Sequence, residues 1–98
     1  MNIQAMMKQA QQLQKNMLKE KEIIDNKEYT YENSTVLVTA MGTKKIKSIK
    51  IKIEMIEKED IEMVEDMLTV AINNVLQQID EETEQKLGKY TQGMPGLF

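Results

Sequence analysis

From Ile3 onward, apolar side chains recur at Met6, Ala10, Leu13, Met17 and Ile24, with positions 3, 10, 17 and 24 forming one row and 6 and 13 a second. Such heptad-like spacing, free of Gly and Pro and rich in Gln, Lys, Ala, Met and Leu, predicts a helix over residues 2–25. The spacing returns at Ile61, Val64, Met67, Leu68, Ala71, Ile72, Val75, Leu76 and Ile79, which predicts a second helix over 58–87. Glu59, Asp60 and Glu62 suit the positive end of its dipole, and Gly88 reads as its stop.

Between the helices the period falls to two. Tyr29 and Tyr31 alternate with polar residues, Val36, Val38 and Ala40 alternate with Leu37, Thr39 and Met41, and a Lys/Ile alternation follows from Lys45. Three strands are expected near 28–33, 35–41 and 45–53. Met41-Gly42-Thr43-Lys44 reads as a hairpin turn in which Gly42 supplies the permissive backbone. Ile49, Ile51 and Ile53 share one strand face, and Ile46 joins them only if a bulge intervenes near Lys47 and Ser48. The expected fold class is α+β: a long helix, a three-stranded antiparallel meander and a long helix in one domain spanning 1–98, with an irregular tail over 88–98.

Size turns this order into an expectation about assembly. The chain has 98 residues, and a domain so small buries only roughly 60–68% of the surface its unfolded form exposes. A second helix of the expected length runs about 43 Å at 1.5 Å per residue, whereas a compact globule of this size is about 33 Å across. The helix must overhang, and an overhanging apolar stripe needs cover. The pattern therefore predicts a homodimer with projecting helical arms.

Composition narrows the chemistry. There is no Cys and no His, which removes disulfides, thiolate and imidazole metal sites and the usual general base. Ser34, Ser48 and the threonines lack an activating partner, and the acidic runs read as solvated helix surface. No enzyme activity, metal, cofactor or small-molecule substrate is expected. Residues 1–22 carry Lys8, Lys15, Lys19 and Lys21 without an apolar block, and no stretch approaches a membrane span, so a cytoplasmic protein with no membrane partner is expected.

The net charge of −3 disfavours a polyanionic partner until its distribution is considered. Residues 1–19 hold three Lys and no acid, and residues 44–53 hold Lys44, Lys45, Lys47, Lys50 and Lys52 and no acid, whereas residues 54–66 hold seven acids and one Lys. Lys8, Lys15 and Lys19 fall on one stripe of the first helix, away from its apolar seam, with Gln11 and Gln12 beside it. A stripe of this kind can contact phosphates and offer amides to base edges. It is also the ordinary pattern of a solvated helix face, just as strand lysines also guard a sheet edge.

Met7-Lys-Gln-Ala-Gln-Gln-Leu-Gln14, the Gly42 turn leading into Ile46-Lys-Ser-Ile-Lys-Ile51, Glu65-Asp-Met-Leu-Thr-Val-Ala-Ile-Asn-Asn74 and the ending Lys86-Leu-Gly-Lys89 with Pro95-Gly-Leu-Phe98 together resemble the YbaB/EbfC family of bacterial nucleoid-associated proteins. The resemblance spans nearly the whole chain in order. It implies a small cytoplasmic, nucleoid-associated homodimer, shaped like tweezers, that binds double-stranded DNA and affects nucleoid organisation and gene expression without catalysis. Carried onto this sequence, the DNA-binding determinants fall on Lys8, Lys15 and Lys86, and charge geometry adds Lys19 and Lys89. One departure is the segment Glu32-Asn-Ser-Thr35, where the family commonly has a Gly-rich link, so the turn type there stays open. A helix–hairpin–helix plan with nine Met is also compatible with a prefoldin-like chaperone or adaptor that binds no nucleic acid.

Overall fold

A computed structural model describes residues 2–91. It comprises helix α1 (Ile3–Asn26), strands β1 (Glu28–Glu32), β2 (Val36–Met41) and β3 (Ile46–Ile51), a 3-10 turn (Lys58–Asp60) and helix α2 (Ile61–Thr91). The expected order of helix, antiparallel meander and helix is what forms, with the strands hydrogen-bonded in the order β1-β2-β3.

Local chemistry sets most of the boundaries. Asn2 caps α1 by accepting the Ala5 N–H at 3.2 Å on its side-chain oxygen. At the first hairpin, the Asn33 side-chain oxygen accepts the N–H groups of Thr35 and Val36, both at 2.9 Å, while its amide donates to the Met67 carbonyl. This Asx turn settles the turn type left open at Glu32–Thr35: a short polar side chain does the work of a permissive backbone and ties the turn to α2.

The second hairpin corrects the expectation for Gly42. The left-handed residue is Lys44, at φ 72°, closing a three-residue loop in which Lys44 N–H donates to the Met41 carbonyl at 2.8 Å. Gly42 is needed for another reason: a Cβ placed there would sit 1.7 Å from the Ile24 carbonyl oxygen. Its N–H donates to the Lys27 carbonyl at 3.0 Å, so the turn is pressed against the C-terminal end of α1.

The bulge expected near Lys47 is present. Thr39 faces Ser48 whereas Ala40 faces Ile46, leaving Lys47 as the extra residue. The slip turns Ile46 onto the same face as Ile49 and Ile51, opposite Val38 and Val36. On that face Val36, Val38, Ala40 and Tyr29 are buried beneath Ala71, Val75 and Ile79, which follow one another at i, i+4 and i+8 along α2. Met17 and Ile24 of α1 and Leu87 of α2 complete this core. Each large aliphatic side chain buried here stabilises the fold by about 1.5–3 kcal/mol.

The expected stop at Gly88 is corrected too, because α2 runs through it to Thr91. The neighbouring Leu87 and Tyr90 pack on the core, and that tertiary burial outweighs the roughly 1 kcal/mol disadvantage of a helical Gly. The remaining tail, including Leu97 and Phe98, lies outside the described residues.

The molecule is elongated, at 71 × 20 × 15 Å with a radius of gyration of 19.4 Å, against about 13 Å for a compact domain of this length. The helices run antiparallel and meet only near their C-terminal ends: Lys27 Nζ contacts Glu82 at 2.9 Å, and Lys89 lies beside Glu20 at 3.6 Å. The N-terminal half of α1 therefore projects, with Ile3, Met6, Met7 and Leu13 exposed.

A part-buried tie holds β1 to α2. The Tyr29 hydroxyl donates to the Glu82 carboxylate, and Lys27 donates to the same group with its ammonium 5.2 Å from the Tyr29 ring centre. Burial first, and the hydrogen bond to Glu82 second, push the Tyr29 hydroxyl well above its ordinary pKa. The hydrogen bonds from Lys27 and then Tyr29 hold the Glu82 carboxyl below its usual range.

Two stability measurements follow from these contacts. Gly42→Ala is expected to lower the urea midpoint by an amount corresponding to about 3 kcal/mol, since backbone rather than a flexible side chain occupies the space; an unchanged midpoint contradicts the close approach. A carboxyl with a depressed folded-state pKa stabilises above its unfolded value of 4.5 and loses that contribution as the pH falls through the folded value. Glu82→Gln is therefore expected to cost about 1 kcal/mol at pH 7, discounted for partial exposure, and progressively less as the pH is lowered towards 3. A deficit that grows on acidification contradicts this assignment.

Candidate nucleic-acid interface

The lysines divide into neutralised and unpaired groups. On the body, Lys44 pairs with Asp80 at 2.7 Å, Lys52 with Glu32 at 3.0 Å, Lys27 with Glu82, and Lys47 with Glu28. At the end of α1, Lys21 pairs with Asp25 at 2.8 Å. A phosphate approaching any of these must compete with a carboxylate already in place.

Lys8, Lys15 and Lys19 are different. All three are exposed and, among the described residues, none has a carboxylate within ion-pair distance. At about 100° per residue, they point within about 20° of the direction opposite the buried Met17, so the face that packs and the face that carries charge are separate. Their spacing covers about 16 Å of helix axis. Gln11 is exposed nearby, and the Gln12 amide donates to Asn16 at 3.0 Å.

The two expected site residues on α2 sit in other surroundings. Lys86 is exposed near Glu82, whose ionised form its charge favours. Lys89 faces Glu20 and lies 5.1 Å from the Tyr90 ring centre, so its charge is partly answered within the chain. The structure thus groups Lys8, Lys15 and Lys19 on one arm and sets Lys86 and Lys89 at the shoulder where α2 meets α1. Of the strand lysines, Lys45 and Lys50 show no carboxylate partner among the described residues.

A shallow groove of about 370 Å³ between β1 and α2 is lined by Lys27, Glu28, Glu81 and Glu82, among others, and its carboxylates make it unfavourable for an anion. Among the described residues no cluster of three or more metal-ligating side chains occurs, and no helix is long and apolar enough to cross a membrane.

With this geometry in place, comparison with known proteins is informative. A nucleoid-associated protein of Enterococcus faecalis is 44% identical over 98 residues, covering 98% of this chain and 94% of its own. One from Lactococcus lactis subsp. lactis is 47% identical over 97 residues, covering 97% and 98% respectively. A third, from Ligilactobacillus salivarius, is 37% identical over 99% of this chain and 95% of its own. Residues 1–94 match the family model for the YbaB/EbfC DNA-binding proteins. Nearly the full length, from the start of the projecting arm past the shoulder lysines, is matched, and the chain belongs to the YbaB/EbfC DNA-binding family.

Proposed function

We propose that the protein acts as a homodimer that grips double-stranded DNA between its α1 arms, with Lys8, Lys15 and Lys19 contacting phosphates and Lys86 and Lys89 adding a weaker contribution at the shoulder. Its place is the nucleoid within the cytoplasm, where it contributes to DNA organisation and gene expression, and it needs neither cofactor nor small-molecule substrate. The observation that carries this reading is the row of three exposed ammonium groups, without a carboxylate partner among the described residues, on a helical segment that contains no acid. Membership of a DNA-binding family supplies the class of partner.

The mechanism is electrostatic docking. An arm spanning about 16 Å follows about five base-pair steps at 3.4 Å each. Each phosphate neutralised releases condensed counterions, which supplies affinity and makes it salt-dependent. The anionic body, whose seven acids at residues 54–66 form no ion pair with a lysine among the described residues, keeps the duplex from lying against α2's start. Binding is therefore of modest affinity and little sequence preference, because lysine reads a phosphate as a point charge.

Two arms with three lysines each give a slope of about −5 in a plot of log affinity against log salt. Replacing Lys8, Lys15 and Lys19 together by Ala is expected to leave only the shallow slope of the shoulder lysines and to abolish measurable binding at moderate salt, while Lys44→Ala and Lys47→Ala leave both unchanged. Fluorescence anisotropy on a mixed-sequence duplex checks this. A triple variant that keeps the wild-type slope moves the interface off the arm.

A further inference from the structure

The apolar seam by which α1 joins the core runs on past the buried Met17 towards the start of the chain. At about 100° per residue, Ile3, Met6, Ala10 and Leu13 all point within about 40° of the direction of Met17. Ile3, Met6 and Leu13 are nevertheless 69%, 53% and 46% exposed, and none of them belongs to the core or packs against it. Helices shorter than about 12–15 residues are marginal in water and hold together mainly by burying an apolar face. The row on the arm therefore calls for cover. Its flanks indicate the chemistry of what covers it: Asn2 and Gln9 border it on one side and Met7 and Gln14 on the other, none of them charged. Lys8, Lys15 and Lys19 lie on the opposite face, so an apolar, uncharged occupant fits the row.

The chain supplies such a segment at the right place. Lys27 meets Glu82 and Glu20 meets Lys89, so seven residues forward along α2 answer seven residues back along α1. By that register Thr91, the last residue of α2, lies level with about Leu18 of α1. From there to Ile3 is about 22 Å along the helix axis. Residues 92–98 read Gln-Gly-Met-Pro-Gly-Leu-Phe and contain no charged side chain. Pro95 lacks the N–H that a continuing helix needs and disfavours helix at Met94 before it. Seven extended residues at about 3.3 Å each reach about 23 Å, which matches the length of the row. On this scale Met94 falls between Leu13 and Ala10, Leu97 beside Met6 and Phe98 beside Ile3.

We infer that residues 92–98 form an extended strap along the apolar row of the same chain's α1, seating Met94, Leu97 and Phe98 against Leu13, Met6 and Ile3. The strap takes over from α2 the covering of one continuous seam and holds the arm helical. Lying on the face opposite Lys8, Lys15 and Lys19, it leaves all three outward. The inference stands on burial and chain length, not on the DNA reading, so either can fail without the other.

The chain contains no Cys, so paired cysteines report the seating in the full-length protein. Met6→Cys combined with Leu97→Cys is expected to form an intrachain disulfide on mild oxidation, migrating on a denaturing gel as one chain of 11.4 kDa. Gln4→Cys combined with Leu97→Cys, at the same level but on the other side of the helix, is expected to stay reduced. As a second measurement that needs no oxidation, removing residues 92–98 should speed backbone amide exchange over residues 7–13 by about tenfold and leave β2 unchanged. A covalent dimer from the Met6/Leu97 pair assigns the row to a second copy's strap, and one from Met6→Cys alone assigns it to a second copy's arm. Either result overturns the inference, as does equal cross-linking at Gln4 and Met6 or unchanged exchange in the truncated protein.

Discussion

Two helices longer than the sheet they pack on impose the shape of this protein. Strands of five or six residues span about 20 Å, whereas helices of 24 and 31 residues reach about 36 and 46 Å. Only part of each helix can be buried by the sheet and by the other helix, and that part is where Met17, Ile24, Val75, Ile79 and Leu87 lie. What is left over becomes an arm. The same mismatch makes the core small and puts a premium on close contacts such as Gly42 against the Ile24 carbonyl and the Tyr29–Glu82–Lys27 tie, which join α1, the sheet and α2 where they overlap.

Charge is then sorted by whether a lysine has somewhere to go. Around the body, acidic residues of β1 and α2 lie within reach of Lys27, Lys44, Lys47 and Lys52 and answer their charge. Along the first 19 residues no acid exists to do so. A net charge of −3 therefore describes neither region. In the proposed reading, distance from the acidic segment lets the arm lysines of an anionic protein meet DNA, since exposed charges separated by more than about 8 Å are largely screened at physiological salt.

Much of this was legible in the sequence because it is local. The change of period from helix to strand placed both helices and all three strands, though not the 3-10 turn at Lys58–Asp60, which the pattern alone reads as the start of α2, and the mismatch of Ile46 with Ile49 revealed the bulge at Lys47. Two glycines were legible as important but not in their roles. Gly42 answers to a carbonyl of α1 18 residues earlier, and Gly88 sits in a helix held together by the burial of Leu87. The pairing of Lys89 with Glu20 was out of reach for the same reason, because it joins residues far apart in the chain through the antiparallel packing of α1 on α2. Lys8, Lys15 and Lys19 could be read because their isolation is a property of one helix. The same helix–hairpin–helix order fits a prefoldin-like holdase, and it is family membership, not the order of elements, that favours DNA.

The claim that the arm rather than the sheet meets DNA is tested most directly by following backbone amide resonances as duplex DNA is added to the full-length protein. Shifts concentrated in residues 3–19, with β1 and β2 unmoved, are the predicted result. Shifts concentrated in the strands, with the N-terminal half of α1 silent, would contradict it.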